Sequence, residues 1–358
     1  MILHRYIAIN LVKGWLLVLL VLGAVFGLIG FIGELERTVF EYDALAAARY
    51  TLATLPHRLM SLAPVVGLLG SIVALAGMDR FNELTIICSA GFSRARLLGA
   101  IALPTVVLMT MLWLCMEYIT PALAQSAEAQ RHTLRYKNAV WIPDGGVWSK
   151  NGNRYIHLEK MYPNGVPGEI SLFEIDDSGQ LVRSLRAHKA QVSEGRSWVF
   201  QRVREKLLVN GRLVTRQYPE LEIRNLWSPA ELPTLTLGND SDSMRLSVLR
   251  RYSLFRADTG QPTEKYLSTF WQKLLMPLTV GAMVLLATPM SASIGSRRTR
   301  SFGLDIALGA LLGILFYLGS QIIFAMGQLL GMSIPLVALT PTLLILLCAM
   351  VLVHRMHW

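Results

Sequence analysis

The 358-residue chain is short of charge: Asp, Glu, Lys and Arg make up 16% of it, against 53% hydrophobic residues. That ratio excludes an ordinary soluble domain and points to an integral membrane protein. Cysteine is scarce too. Cys88, Cys115 and Cys348 are scattered and odd in number, which excludes a disulfide framework and a cysteine metal site. They read as small buried apolar side chains. No G-x-x-x-x-G-K-[ST] segment occurs, the basic SRRTRS not being one, so the chain has no P-loop with which to hydrolyse ATP itself. The apolar segments hold no chain of acids of the kind proton-coupled carriers use. No nucleophile, base and orienting group can be assembled from spacing, so the chain is expected to be non-catalytic. If it moves something, the energy comes from a partner.

What is abundant is uninterrupted apolar sequence. Gly14–Gly33, Leu59–Met78 and Leu97–Met116 are each free of charge over 20 residues, and Leu274–Ser296 over 23. Each is long enough to cross about 30 Å of hydrocarbon as a helix. Ile306–Val353 runs uncharged for 48 residues, too many for one span, and GQLLGMSIP (Gly327–Pro335) breaks it in two. Six spans result. The first is longer than a signal-peptide core and reads as an uncleaved helix.

Basic residues set the orientation. The N-terminus (Arg5, Lys13), the 79–96 loop (Arg80, Arg94, Arg96), the 297–300 loop (Arg297, Arg298, Arg300) and the C-terminus (Arg355) hold nine Lys or Arg. The opposite short loops hold three, Arg37, Arg49 and Arg58. Both termini are therefore expected in the cytoplasm, with the long block between the third and fourth spans on the far side.

That block changes pattern after a few helical turns of ITPALAQSAEAQRHTLRYKN. GVWSK, RYIHLE, EISLFEI, SWVFQRVREKLLV and LVTRQYPELEI are strand-like, separated by turn signals at Asn151, Pro163, Asp176, Ser193 and Asn210. The spacing predicts a small sandwich, jelly roll or open barrel. His157 and His188 lack a ligand-spaced Cys or carboxylate in sequence and read as ordinary strand histidines. The expected organisation is residues 1–137 with three spans, 138–238 as a β domain, 239–265 as a helical connection and 266–358 with three spans. In the connection, Arg250 and Arg251 suit either anionic headgroups or a solvated helix face.

Between the second and third spans stands DRFNELTIICSAGFSRAR (Asp79–Arg96). As a helix over about 79–92, it places Phe81, Leu84, Ile87, Cys88 and Gly91 near one face. Gly91 suits a left-handed C-cap and Ser93 an N-cap for the next span. An apolar stripe with one carboxylate, Glu83, fits a cleft in a soluble partner; the pattern equally fits a helix lying on the membrane.

YDALAAARYTLATLPHRL (42–59), the NEL and SAGFSR pieces of that segment, GVWSKNGNRYIHLE (146–159) and WQKLLMPL (271–278) together resemble the lipopolysaccharide export permeases, the LptF/LptG family, on its LptG side. The resemblance covers essentially the whole chain. It implies an α-helical integral protein of the bacterial inner membrane, with six transmembrane helices and an inserted all-β, jelly-roll-like periplasmic domain. It further implies the non-catalytic permease of an ABC exporter that passes lipopolysaccharide to a periplasmic bridge. The implied partners are an LptB-type ATPase dimer, which would hold the ATP and magnesium, a paralogous LptF-type permease, an LptC-type single-span protein and an LptA-type bridge. No cofactor in this chain and no nucleic-acid partner is implied.

Carried over residue by residue, the resemblance makes Glu83 the coupling carboxylate, with Phe81, Leu84, Ile87 and Gly91 as the seating face and Arg94 beside them. It makes Arg37, Arg131 and Lys273 candidates for lipid A phosphates, and Tyr317 and Gln321 a polar stretch of a gate helix. Basic side chains at the membrane edge above an apolar cavity suit a phosphorylated, acylated substrate. The family pattern carries further basic residues where this chain has Gly30, Glu36 and Glu128; Arg49 or Arg58 are the available substitutes. Arg37 also suits simple snorkelling, Lys273 a pair with a headgroup or Glu117, and Tyr317 with Gln321 a helix–helix hydrogen bond. The competing readings are a permease of another lipid or lipoprotein ABC exporter and a membrane-anchored periplasmic assembly or sensor protein.

Overall fold

The structure, a computed structural model, describes residues 2–38, 42–91, 93–135, 147–162, 166–176, 179–192, 197–209, 212–226, 241–258, 262–291 and 302–355. Two compact units emerge, one of residues 1–36, 51–123 and 267–358, the other of residues 37–50 and 124–266.

In chain order the helices are α1 Ile2–Leu35, α2 Ala44–Ser61, α3 Ala63–Arg80, α4 Glu83–Ser89, α5 Arg94–Leu114, α6 Thr120–Arg135, α7 Leu246–Asp258, α8 Glu264–Ser291, α9 Phe302–Leu329 and α10 Ile334–Arg355. A π-helical turn at Cys115–Ile119 joins α5 to α6 without interruption. Among the described residues six helical stretches are long and apolar enough to cross a membrane: α1, α3, the continuous Ala95–Glu128, α8, α9 and α10. The break expected at Gly327–Pro335 falls between α9 and α10, where Gly331 takes a φ of +62° and Met332 donates back to the Gly327 carbonyl. Arg297, Arg298 and Arg300 lie outside the described residues.

The first unit is built around two of these helices. Inside the unit, α3 is 67% and α8 61% buried over their apolar windows, whereas α1 and α9 are 17% and 11% buried and leave their apolar surface for lipid. Ile7, Leu11 and Trp15 of α1 meet Leu75 and Met78 of α3, Leu97 and Ile101 of α5, and Val280 and Val284 of α8. Lipid removes the hydrophobic drive between helices, so close backbone approach and buried hydrogen bonds have to hold them. Both are present: a Cβ on Gly14 would stand 2.2 Å from the Gly70 carbonyl oxygen, and one on Gly70 would meet the Trp15 backbone nitrogen at 2.9 Å. At that crossing Trp15 Nε1 donates to Ser71 Oγ at 2.9 Å. Next to Val280 on α8, the hydroxyls of Thr279 and of Thr342 on α10 are 2.7 Å apart in a buried contact.

The second unit is centred on one six-stranded antiparallel sheet, β1 Val147–Asn151, β2 Arg154–Tyr162, β3 Val166–Ile175, β4 Leu181–Val192, β5 Trp198–Val209 and β6 Arg212–Ile223. The strands pair in sequence order, so the described part of the expected all-β domain is a meander. Glycines with positive φ, Gly152 and Gly179, turn β1 into β2 and β3 into β4. Residues 163–165, 193–196 and 210–211, which carry the other expected turns, lie outside the described residues. Trp198 and Phe200 anchor a core with Ile156, Leu158, Ile170, Leu172 and Leu185, against which Phe255 of α7 packs.

The sheet bends. Glu169 and Arg202 have φ of +47° and +53°, and the ladder pairs pass over Glu169, His188 and Arg202. On either side the inward positions change parity, from Ala187 to Ala190 in β4 and from Phe200 to Val203 in β5. A residue forced out of the pleat in this way curls the sheet around its core.

Candidate functional site

Three polar places stand out: the corner between α3 and α5, the opposite end of α1, and a cluster on α6.

At the corner, α3 stops because Asn82 enters the left-handed region at φ +56°, and both Phe81 and Asn82 donate to the Asp79 carbonyl. Helix α4 then runs only from Glu83 to Ser89, shorter than the 79–92 interval expected. Gly91 takes φ +83° and Ser93 Oγ accepts from the Arg96 amide, so the two caps stand where the sequence places them. The expected seating face is revised. Leu84 is fully buried and Ile87 is 8% exposed, both inside the unit's own core, so neither is available to a partner. Among the described side chains of the corner, the large exposed apolar groups are Phe81 at 71% and Ile86 at 64%. Periodicity identified a face, but the chain itself covers it. The side chain of Arg94 lies outside what is described.

Glu83 is half-buried, and its Oε2 accepts a hydrogen bond of 2.9 Å from the Tyr6 hydroxyl on α1. Beside them opens a cavity of about 280 Å³ lined by Tyr6, Asn10, Lys13, Gly14 and Leu17 from α1 and by Val73, Ala74, Gly77, Met78, Phe81 and Glu83.

At the other end of α1, Gly30 has no side chain, and the guanidinium of Arg58 from α2 occupies that space. A Cβ on Gly30 would stand 2.5 Å from Arg58 Nη1. Arg58 is half-buried, and no carboxylate among the described residues pairs with it. The structure thus brings one of the two substitute arginines onto the bare stretch of the first span; Arg49, on the other unit, is exposed.

The remaining candidates are dispersed. Arg37 is exposed in the turn after α1. Arg131 is committed internally: it pairs with Glu128 at 3.3 Å, donates to the Tyr50 hydroxyl at 3.2 Å and stacks 4.7 Å over the Tyr50 ring. Tyr50 in turn donates to Glu128 Oε2 at 2.7 Å. With only 11% of its side chain exposed, Arg131 serves first to tie α2 to α6 within the second unit. Lys273 is half-buried on α8. Tyr317 and Gln321 are both exposed, one turn apart on α9. The sequence reading did not foresee the Tyr6–Glu83 bond, whose partners are 77 residues apart. It also missed the carboxylate of His188, which β3 supplies as Glu169 at 2.7 Å.

The family profile described as lipopolysaccharide export system permease LptF/LptG matches residues 5–355. The lipopolysaccharide export system permease protein LptG of Haemophilus influenzae is 27% identical over 356 residues, covering 99% of this chain and 98% of that protein. The protein of the same name from Escherichia coli K12 is 26% identical over 360 residues, with the same coverage.

Proposed function

The chain belongs to the LptF/LptG family of lipopolysaccharide export permeases, and from that premise we propose that it is the LptG-type subunit of the exporter. The observation that carries this reading is the match over residues 5–355, which spans all six membrane helices and the inserted β sheet. The architecture fits a permease of the inner membrane: six apolar helices, and a corner between the second and third that presents Phe81, Ile86 and a carboxylate.

In this reading both termini and α4 face the cytoplasm, and the β domain faces the periplasm. The corner seats in an LptB-type ATPase, with Glu83 meeting a cationic side chain and Phe81 and Ile86 entering an apolar groove. A short ion pair of this kind fixes orientation, while the apolar contacts supply most of the affinity. An LptF-type paralogue pairs with this chain, and the two together enclose a separate, larger substrate cavity between their membrane helices. ATP binding in the ATPase dimer draws the two corners together, and the cavity expels lipopolysaccharide toward an LptC-type and then an LptA-type protein. ATP and magnesium belong to the ATPase.

The substrate contacts proposed at the outward end are Arg37, Arg58 and Lys273, with Arg131 available only if its Glu128 pair opens, and with Tyr317 and Gln321 on α9. Arg58 is the best placed, because a guanidinium without a carboxylate partner can give two parallel hydrogen bonds to a phosphate.

The test is affinity purification of the tagged chain from its native membrane in mild detergent, with quantification of what accompanies it. A P-loop ATPase near two copies and one six-span paralogue, retaining lipopolysaccharide, is the expected result. An ATPase with a different bound lipid would favour another exporter. Recovery of the chain alone, from a detergent shown to preserve such complexes, would favour an anchored assembly or sensor protein.

A further inference from the structure

The cavity beside Tyr6 and Glu83 is unlike the apolar surface that surrounds it. Its lining is graded along α1. Leu17 and Gly14, facing Val73 and Ala74 of α3, form an apolar inner end; Lys13 and Asn10 stand at the middle; Tyr6 and Glu83 stand at the outer end. Lys13 is the last charged residue before the uncharged run of the first span, which places it at the boundary of the hydrocarbon. Its exposed ammonium pairs with no carboxylate among the described residues. Below it, Asn10 Nδ2 is buried in the wall with no hydrogen-bond partner among the described residues.

We propose that this cavity binds the headgroup of a phospholipid carrying a primary amine, in the leaflet on the N-terminal side of the membrane. The order of groups along the cavity is the order along such a lipid. Acyl chain lies against Leu17, Val73 and Ala74. The phosphate accepts from Lys13 Nζ, which is exposed at the cavity. The ammonium, farthest from the hydrocarbon, donates to Glu83, whose other hydrogen bond comes from Tyr6. An anionic headgroup without an amine would set its outer end against the Glu83 carboxylate. A choline headgroup has no N–H to donate. The binding rests on the six-span fold alone. Its consequence, that the lipid holds Glu83 in the groove and competes with a docking partner for that carboxylate, rests on the function proposed above.

The experiment is native mass spectrometry of the full chain, with whatever partners copurify, released from nanodiscs containing equal parts of phosphatidylethanolamine, phosphatidylglycerol and phosphatidylcholine. Lys13→Gln removes the cation. Gly77→Leu fills the cavity, since a Cβ there meets no atom within 4 Å and the fold is not strained. Gly99→Leu, equally open and outside the cavity lining, is the control. One phosphatidylethanolamine per chain is expected to persist in the unaltered protein and in Gly99→Leu, with retention about tenfold lower in Lys13→Gln, the ratio given by losing one charge-assisted hydrogen bond, and lost in Gly77→Leu, where the space itself is taken. Equal retention of the three lipids would overturn the proposal, as would undiminished phosphatidylethanolamine in both cavity variants. Selective retention by a chain that recovers no ATPase would leave this site standing and remove the exporter reading instead.

Discussion

At the scale of single residues, two charges carry opposite ends of the proposed cycle. Glu83 is held at the corner by a single hydrogen bond from Tyr6, so the carboxylate is positioned and still able to exchange partners. Glu83→Lys should invert the contact and reduce copurifying ATPase by about tenfold or more, since like charges across an interface cost several kcal/mol. Quantitative mass spectrometry of the purified complex measures this; ATPase retained at the original ratio would refute the role. At the other end, Arg58→Gln should lower retained lipopolysaccharide by about tenfold, a charged hydrogen bond being worth roughly 1.5–3 kcal/mol. Gly30→Leu keeps the arginine but takes its seat, because a Cβ there already meets Arg58 Nη1 at 2.5 Å. If position rather than charge alone matters, this variant loses substrate too, while Arg49→Gln does not.

At the scale of elements, backbone contact decides stability inside the membrane and paired charge decides it in the sheet. Gly14→Val would drive side-chain carbons into the Gly70 carbonyl, a partner that cannot swing away as a side chain could. It should destabilise by about 3 kcal/mol, the upper end for overpacking, and lower the midpoint of thermal unfolding in detergent. Gly23→Ala is the contrast: its Cβ would meet only Leu59 at an ordinary 3.6 Å and should leave that midpoint unchanged. In the sheet, Glu205 is 4% exposed and accepts from Arg183 Nε at 2.6 Å. Arg183→Met leaves that carboxylate buried without a cation, which costs about 3–5 kcal/mol, and should open the β unit to limited proteolysis. The same chemistry explains what sequence could disclose. Spans were legible as charge gaps because lipid tolerates no stray charge, and the α9–α10 break because Gly331 takes a backbone conformation other residues resist. Strand β4 did not stand out as a strand. Its Arg183, Arg186 and His188 are answered from other strands, by Glu174 and Glu205, by Glu159 and by Glu169, and no local pattern records a partner across a ladder. For the same reason nothing local shows that Leu84 and Ile87 are buried: a helical stripe tells which residues share a face, and only the fold tells what covers it.

At the scale of the whole molecule, the proposed function needs the corner and the sheet on opposite sides of the membrane. The connectivity meets that need if every apolar helix crosses once: α4 then follows the second crossing and the sheet follows the third, so the two lie on opposite sides whichever way the protein inserts. The nine Lys and Arg of the termini and of the 79–96 and 297–300 loops, against three in the opposite loops, favour the direction proposed, with α4 in the cytoplasm. The prediction can be read in intact cells with Cys88, Cys115 and Cys348 replaced by alanine. A single cysteine at Asn153, exposed in the β1–β2 turn, should react with a membrane-impermeant maleimide, and one at Ser89, exposed on α4, should react only after the inner membrane is permeabilised. The reverse pattern would put the corner beyond reach of any cytoplasmic ATPase and end the coupling argument. Labelling of both in intact cells would mean that the one apolar stretch between them, Ala95–Glu128, does not cross the membrane. A second span lying along the membrane, the shortest of the six at 18 residues and the least apolar, would instead move both sites across and give the reverse pattern.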